Sequence, residues 1–469
     1  MRFLILACTI LLLISSLLKA DNLDSVGFAS PVLDLPEVEE NFYQANRISG
    51  VYYEEGKFSW VGRVLGSREG FVSYGRVGDT ITLTVSFADG ESYTYRGKVE
   101  NFNWTKEIKS HKSCGGCVMD EDLPQDPRAR AQPSYSLLDG DANLVDLMVV
   151  YPAAVREEAG STSAIQSEIM KAVADANLCY RNSQVNLLIR LVHMEEVAYT
   201  PTGLLGTDLD RLKNTSDGYM DSIHSARDQY GADLVALLST ESDSGGLAST
   251  MSYPSLSFES SGFNVNVWDQ IAAPNYTLAH EIGHNMGCLH NVEDASNVSE
   301  NYVFSAFCYG KRWTSNGQGY RTVMSYDSNP SSYPNKVPYF SNPEVTYMDI
   351  PTGDITANNA MVLSSTSPYV SNFRRSVVQG IVATNYDLIV LEGNFFGNFR
   401  VRLAAEPTNS TEVQISISGD EDLLLGSSST LTFDQSNWNL QQTVQVIARA
   451  DSDSNSNTGT LILTSTGIP

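Results

Sequence analysis

The spacing of apolar and polar positions first indicates a β-rich region near the start of the chain. Between residues 40 and 105, Ile81, Leu83 and Val85 alternate with Thr and Ser, and Asp89-Gly90 is a typical hairpin turn. Side chains with a period of two point to opposite faces of a strand. This stretch is therefore predicted to form a small sheet with one buried face.

The next region has a different pattern. Short apolar runs and stretches of helical spacing follow one another at 144–151, 163–180, 185–192, 208–230 and 233–238. The first, third and fifth have the length of strands, and the second and fourth have the period of helices. Strands that alternate with helices predict an α/β domain with a mixed, mostly parallel sheet.

Period-two alternation returns after residue 375. It is clearest at 412–417 and 443–448, and the intervening residues are rich in Asn, Asp, Ser and Gly. Short strands joined by such turns are typical of an antiparallel β-sandwich. The chain is thus expected to end in a β module at residues 380–469.

Composition and charge narrow the class of protein. Of 469 residues, 42% are hydrophobic and 18% charged, which is enough apolar surface for folded domains. The 30 Lys and Arg against 55 Asp and Glu give a formal charge of −25, which argues against nucleic acid as a partner. No later apolar run has the length of a membrane span.

The first 20 residues have the pattern of a secretory signal peptide. Arg2 precedes an apolar run at residues 3–18, and the small residue Ala20 follows it. The protein is therefore expected to be secreted and extracellular.

The segment at residues 280–290 carries the candidate chemistry and reads His-Glu-Ile-Gly-His-Asn-Met-Gly-Cys-Leu-His. On a helix, His280 and His284 lie on one face and can bind one ion. Gly287 tolerates the left-handed conformation that ends a helix. The chain can then turn and bring back His290 as a third ligand.

Three neutral histidines leave the fourth position of a tetrahedral zinc ion open to water, whereas structural zinc sites are closed and favour cysteine. Zinc lowers the pKa of a water that it binds, and Glu281 can take the proton and pass it to a leaving amine. This is chemistry for hydrolysing an amide. The whole constellation is far more specific than an isolated His-Glu-x-x-His.

These residues resemble the extended zinc signature of the metzincin metallopeptidases. Met324, in the sequence Thr-Val-Met-Ser-Tyr at 322–326, matches the methionine turn of that clan. Residues 140–375 look most like the reprolysin or adamalysin group and the bacterial peptidyl-Asp metalloendopeptidases. The resemblance implies a secreted zinc endopeptidase acting on proteins or peptides, with zinc held by the three histidines and Glu281 as catalytic base.

Three further features match the related families less closely than the histidine motif does. Reprolysins usually have Asp after the third histidine, where this chain has Asn291. Tyr326 matches a tyrosine that approaches zinc in related families, so that it either stabilises an oxyanion or only packs. The residues 245–249 are the candidate upper edge strand, to which a substrate would add as a further strand.

The resemblance also implies that residues 21–135 are a propeptide with its linker and that the enzyme is made as a zymogen. Cys114 or Cys117 could block the metal as a thiolate switch, or they could form a disulfide with each other or with Cys179 instead. A disulfide between Cys288 and Cys308 would brace His290. The predicted activation cleavage lies near residues 128–130.

The C-terminal segment loosely resembles Calx-beta-like modules, which suggests that it binds a surface or another protein. Five acidic residues of this segment could bind calcium, although solvated acidic loops explain them better: Asp420, Glu421, Asp422, Asp451 and Asp453. If the enzyme prefers aspartate, Arg321 and Lys336 are the candidate basic residues for its pocket.

Two other functions fit parts of the sequence. A secreted binding or adhesion protein could retain the peptidase fold, and a zinc amidase could use the same motif on a non-peptide substrate. The presence of Glu281 argues against the first, because a binding protein needs no base beside an open metal position.

Overall fold

The structure is a computed structural model that describes residues 32–39, 41–66, 68–107, 117–119, 143–295, 306–328, 331–384, 388, 390, 391, 393, 395–418, 421–450, 459–466 and 468. The predicted signal peptide and the predicted cleavage region near residues 128–130 lie outside the described residues. Within them, no helix combines the length and the apolar character needed to cross a lipid bilayer.

The β-rich region forms a seven-stranded antiparallel sheet, and its strands lie side by side in chain order. Alternate side chains, among them Trp60, Tyr74, Leu83 and Val85, are buried in one apolar cluster, as the period-two pattern predicts. The strands are β1 (Val32–Asp34), β2 (Gln44–Glu54), β3 (Lys57–Leu65), β4 (Gly70–Val77), β5 (Thr80–Phe87), β6 (Ser92–Lys98) and β7 (Thr105–Lys106). A 3-10 helix spans Val99–Asn101.

The central region contains a six-stranded sheet in the order β10-β9-β11-β13-β12-β8. Its members are β8 (Cys117–Met119), β9 (Asn143–Pro152), β10 (Leu187–Val197), β11 (Leu234–Ser239), β12 (Gly246–Thr250) and β13 (Phe263–Val267). Every neighbouring pair is parallel except β12 with β13. The central sheet is therefore mixed, with parallel pairs in the majority.

That description holds for the central sheet alone. Over all described residues most strand pairings are antiparallel, because the N-terminal and C-terminal sheets are built from hairpins. The fold as a whole is mixed α/β, with few helices and several sheets.

The described residues contain six α-helices: α1 (Ala153–Ala159), α2 (Thr162–Asn182), α3 (Leu205–Lys213), α4 (Ser222–Tyr230), α5 (Thr277–Asn285) and α6 (Asn359–Val370). Two 3-10 helices, Leu256–Ser261 and Trp268–Gln270, precede α5.

The prediction of one helix over 208–230 is wrong, because α3 and α4 are separate. Turn-forming side chains in the break bind nearby backbone groups: Asn214 Oδ1 accepts from Ser216 N at 3.0 Å, and Asp217 Oδ1 accepts from Tyr219 N at 2.9 Å. These local bonds compete with helical hydrogen bonds.

Helix α2 lies between the N-terminal sheet and the central sheet. Ile165, Ile169 and Val173 pack in the apolar cluster of the central sheet. The side toward the N-terminal sheet includes Glu168 and Lys171, both fully buried. Ala174 and Leu178 on the same helix pack with Val61 of β3. The helix therefore contacts the N-terminal sheet through both charged and apolar side chains.

Seven short strands follow α5 in the chain: β14 (Leu289–Asn291), β15 (Tyr309–Gly310), β16 (Arg312–Ser315), β17 (Gln318–Arg321), β18 (Asn335–Lys336), β19 (Thr346–Tyr347) and β20 (Ile350–Pro351). They form three small sheets, β14-β15, β16-β17-β18 and β19-β20.

The C-terminal region has two antiparallel sheets that share one apolar cluster, as a β-sandwich requires. Phe399, Val413, Phe433 and Val444 lie in that cluster. The strands are β21 (Ile381–Ala383), β22 (Phe395–Leu403), β23 (Thr411–Ser418), β24 (Leu423–Leu425), β25 (Thr430–Phe433), β26 (Gln442–Ala448) and β27 (Thr460–Ser465).

Candidate metal centre

Helix α5 presents three of the predicted site residues: His280, Glu281 and His284. The helix ends at Asn285, and Gly287 follows with a φ of 87°, a conformation that favours glycine. This turn leads into β14, which carries His290. The sequence-based prediction of a helix, a turn and a returning third histidine is thus confirmed for the backbone.

The three imidazoles converge on one point. Their Nε2 atoms are 3.1 Å apart between His280 and His284, 3.0 Å between His284 and His290, and 3.2 Å between His290 and His280. Zinc–nitrogen bonds of about 2.0–2.1 Å in a tetrahedron place the nitrogens about 3.3 Å apart. A single zinc ion therefore fits the cluster after shifts of a few tenths of an ångström.

Backbone carbonyls orient two of the rings. The Nδ1 atom of His280 donates to Val323 O at 2.8 Å, and the Nδ1 atom of His284 donates to Cys288 O at 2.8 Å. With Nδ1 as the donor, each ring turns the lone pair of Nε2 toward the shared point. The carbonyls thus select the tautomer that can bind a metal.

Burial keeps these histidines neutral. It lowers the pKa of His284 to about 4, although the Cys288 carbonyl opposes the shift. Burial also lowers the pKa of His280 and of His290, and the positive charge of Lys336 adds to both shifts. Neutral imidazoles are the form that binds metal ions.

Glu281 is fully buried beside the histidine cluster. Its carboxylate lies against the backbone of β12, where a Cβ added to Gly246 would collide with Glu281 Oε1. Only glycine leaves room for the carboxylate at this point. Strand β12 therefore fixes the position of Glu281.

Met324 lies beneath α5, where a Cβ added to Gly283 would be 2.5 Å from its sulfur. The glycine at the third position after His280 thus allows the methionine turn to pack closely on the helix. The neighbouring Val323 supplies the carbonyl that orients His280. The predicted methionine turn and the histidine cluster are therefore one packed unit.

The Tyr326 ring packs against His290 in a tilted arrangement, with ring centroids 3.9 Å apart and an angle of 33° between the rings. Asn291 explains how the tyrosine is held, because its Oδ1 accepts from Tyr326 N at 3.0 Å. The Nδ2 atom of Asn291 donates to Glu293 at 2.7 Å and to Asp294 at 2.8 Å. An amide serves this position because it must donate to two carboxylates and accept from a backbone N–H.

Two anchoring residues were not found from the sequence. Asn285 Nδ2 donates to Ser249 O at 2.8 Å and to Phe263 O at 3.0 Å, which ties α5 to β12 and β13. Asp175 on α2 accepts from Ala273 N at 2.8 Å and holds the loop before α5. Each is a polar residue among the apolar residues of a buried helix, and that pattern could have indicated an anchoring role from the sequence.

The cysteines do not form the expected bridge. Cys179, Cys288 and Cys308 are buried thiols rather than halves of a disulfide. Backbone pairing of β14 with β15 braces His290 instead, and Leu289 N donates to Cys308 O at 2.8 Å. Cys114 lies outside the described residues, while Cys117 is described only as part of the backbone of β8.

The calcium prediction gains no support. Among the described residues, the histidine cluster is the only group of three or more possible metal-binding side chains. Asp420, Asp451 and Asp453 lie outside the described residues. A ligand or partner for the C-terminal module stays a prediction.

The fold, the histidine cluster and the methionine turn define a metzincin-type metallopeptidase. A family model described as metallo-peptidase family M12 matches residues 141–341. The chain is similar to proteins named peptidyl-Asp metalloendopeptidase. One from Xanthomonas campestris pv. campestris is 33% identical over 306 residues, or 64% of this chain and 69% of the relative.

A second relative, from Stenotrophomonas maltophilia, is 35% identical over 308 residues, again 64% of this chain and 69% of the relative. A third, from Pseudomonas aeruginosa, is 31% identical over 51% of this chain and 41% of the relative. The chain therefore belongs to metallo-peptidase family M12, and it is a metalloendopeptidase.

Proposed function

We propose that the protein is a zinc-dependent endopeptidase that cleaves proteins beside aspartate, with His280, His284 and His290 as metal ligands and Glu281 as general base. The convergence of the three Nε2 atoms beside a buried glutamate carries this proposal. The name of the relatives, peptidyl-Asp metalloendopeptidase, supports aspartate as the recognised residue.

A bound zinc ion supplies Lewis acidity and lowers the pKa of a water ligand. The chain provides the remaining parts of the reaction. Glu281, held against Gly246, takes the proton of the attacking water and returns it to the leaving nitrogen. Strand β12 offers backbone groups that align an extended peptide across the site.

Tyr326 is proposed to steady the developing oxyanion with its hydroxyl. Support for a positioned side chain comes from the contact of its ring with His290 and from the hydrogen bond between its backbone N–H and Asn291. A tyrosine that only packs would make the same ring contact, so a Tyr326→Phe variant tests the role of the hydroxyl.

The protein is further proposed to be secreted as a precursor whose N-terminal residues, about 21–135, cover the site. Strand β8 supports this proposal, because it pairs with β12 on the side away from β13. Its backbone uses hydrogen-bonding groups that a peptide substrate would need. Removal of β8 would make β12 an edge strand.

The contact between α2 and the N-terminal sheet is partly charged and partly apolar. Lys171 Nζ donates to Thr84 Oγ1 at 3.0 Å, and Arg96 Nε donates to Glu168 Oε2 at 3.1 Å. Val61 of β3 packs with Ala174 and Leu178 of α2. The charged side chains on α2 can be hydrated once the sheet leaves, whereas release would also expose the apolar part to water.

The first test compares two substitutions. Glu281→Gln should keep zinc and lose at least about 100-fold in peptide hydrolysis, because general bases typically contribute 10²–10⁴. His290→Ala should instead lose zinc, because two imidazoles do not complete the site. Near-normal turnover by zinc-loaded Glu281→Gln protein would disprove the assigned base.

The second test concerns latency. Val118 pairs with Ser249, and proline at 118 cannot donate a backbone hydrogen bond. Uncleaved Val118→Pro precursor should therefore be more active than the wild-type precursor, while Val118→Ala, which keeps the donor, should stay latent. Equal latency of both variants would exclude blocking by β8.

The thiol switch is tested separately. If a thiolate occupies the metal position, either Cys114→Ser or Cys117→Ser, but only one of them, should activate the precursor. Latency that persists in both variants would leave steric cover by the N-terminal region as the mechanism.

A further inference from the structure

Strand β13 places two asparagines inside the central sheet, at Asn264 and Asn266. Both side chains are fully buried. Their register partners on β11, Ala236 and Leu238, belong to the apolar cluster that also contains Ile282 of α5. Asparagine is depleted in strands, and a buried amide is costly unless it is hydrogen-bonded. The face of β13 toward α5 therefore carries polar side chains where packing alone favours apolar ones.

The two asparagines continue a row of amides that begins on α5. The side chain of Asn285 donates to the backbone carbonyls of Ser249 and Phe263. Asn264 Nδ2 then donates to Asn285 Oδ1 at 2.9 Å, and Asn266 Nδ2 donates to Asn264 Oδ1 at 2.7 Å. We call Asn285, Asn264 and Asn266 the amide row.

The hydrogen bonds of the amide row have one direction. Only an amide nitrogen can donate to the two carbonyls at its start, so Asn285 must turn its oxygen toward Asn264. The same reasoning fixes the orientation of Asn264 and then of Asn266. The row ends at Asn266 Oδ1, which has no hydrogen-bond partner among the described residues.

The amide row ends beside the proposed general base. Asn266 is the register partner of Gly246, the glycine against which the Glu281 carboxylate lies. Cross-strand partners point to the same face, with their Cβ positions about 4.5–5.5 Å apart. Glu281 and Asn285 are four residues apart on α5 and therefore share one side of the helix. The row thus follows the contact of α5 with β12 and β13 from Asn285 to the base.

The histidines are oriented by other groups. Backbone carbonyls of the methionine turn and of the turn after α5 accept from His280 and His284. The bonds of the amide row instead join α5 to β12 and β13. A change in the row can therefore move the base relative to β12 while the metal ligands keep their supports.

We propose that Asn264 and Asn266 are positioning residues for Glu281, and that the amide row sets the position of this base relative to β12. This inference rests on the proposed endopeptidase function, in which a peptide aligns along β12. A misplacement of about 1 Å between reacting groups can cost 100-fold in rate. The effect falls on the chemical step, because the backbone of β12 still binds the peptide.

A purely structural role for the two asparagines predicts a different result. Side chains that only stabilise the sheet would lower the free energy of unfolding and, with it, the fraction of folded protein that holds zinc. The rate per bound zinc ion would stay the same. The change in kcat per bound zinc, compared with the change in KM, therefore separates the two roles.

The test uses the full chain as wild type, Asn266→Leu and Asn264→Leu, each assayed in its active form on a fluorogenic peptide that contains aspartate. Leucine keeps the branching of the asparagine side chain but has neither donor nor acceptor. Asn177→Leu is the matched control. Asn177 ties α2 to β10, at the far edge of the same sheet, through two hydrogen bonds of 2.8 Å with the backbone of Ile189.

We expect kcat per bound zinc to fall about 10-fold in Asn266→Leu and about 10- to 100-fold in Asn264→Leu, with KM and zinc content within about twofold of wild type. Asn177→Leu should keep kcat per bound zinc and only melt at a lower temperature. Asn266→Leu removes only the last bond of the row, so it tests the proposal even if Asn264→Leu does not fold.

A second comparison uses the Glu281→Gln background. Adding Asn266→Leu should slow the residual hydrolysis by less than about twofold, because the base through which the row acts is already absent. The double variant should also bind the uncleaved peptide as tightly as Glu281→Gln alone, which is a readout without turnover.

Three results would overturn the inference. These are an unchanged kcat per bound zinc in Asn266→Leu, an equal loss in Asn177→Leu, and a full additional loss in the double variant. A wild-type protein that cleaves no peptide would instead reject the proposed endopeptidase function itself.

Discussion

Gly246 is expected to control catalysis although it has no side chain. A Cβ at this position would lie 2.7 Å from Thr277 Cγ2 and 2.8 Å from Glu281 Cδ, whereas ordinary contacts begin at 3.4 Å. Both neighbours belong to α5, which is buried and anchored by Asn285. The glutamate side chain is therefore the part that must move in Gly246→Ala.

The size of the effect follows from this geometry. Restoring a 3.4 Å contact moves the Glu281 carboxyl carbon by about 0.6 Å or more, and a misplacement of about 1 Å can cost 100-fold in rate. We expect kcat/KM to fall about 30- to 100-fold, or about 2–2.7 kcal/mol of transition-state stabilisation. Overpacking should lower the unfolding free energy by about 1–3 kcal/mol.

The assay measures peptide hydrolysis, zinc content and thermal unfolding of Gly246→Ala. The control is Gly206→Ala, where an added Cβ would meet only Leu247 Cδ2, at 4.0 Å. If the alanine acts through Glu281, the double variant Gly246→Ala with Glu281→Gln should be hardly slower than Glu281→Gln alone. Full activity of Gly246→Ala, or a loss of zinc that matches the loss of activity, would refute the reasoning.

Two further predictions concern protonation and charge. The pKa of His284 is lowered from 6.5 to about 4, so between these pH values the unfolded state binds more protons than the folded state. The free energy of unfolding of the metal-free protein should therefore fall by about 2 kcal/mol between pH 7 and pH 5 because of this residue. Urea unfolding at the two pH values measures the change, with His284→Asn as control. Asn291→Asp would place a third carboxylate beside Glu293 and Asp294 and should lower the melting temperature at pH 7. Adding Glu293→Gln should restore part of the loss. An unchanged melting temperature in Asn291→Asp would show that the amide donors are dispensable.

Local pattern predicted the strands of the central sheet and helix α2 well, because each is fixed by its own period of buried side chains. Helix α2 and strand β9 lie within two residues of the segments predicted for them. Pairing between strands that are distant in the sequence was not predicted in this way. The position of β8 beside β12 joins residues on opposite sides of a long linker, and no local period contains that contact.

The same distinction applies to the site. The three histidines and Glu281 were recognisable because they lie within eleven residues and their spacing fits one helix and one turn. The groups that orient them come from distant parts of the chain. Val323 acts through its backbone carbonyl, and Gly246 acts by having no side chain, so the sequence alone could not assign a role to either residue.

Asn291 illustrates why these supporting groups decide function. From the sequence it was only a departure from the usual aspartate of related enzymes, whereas in the structure it links Tyr326 to two carboxylates. Those carboxylates already pair with Arg312 at 3.1 Å each. An aspartate at 291 would add negative charge where one arginine serves two acids, whereas the Asn291 amide donates to both of them.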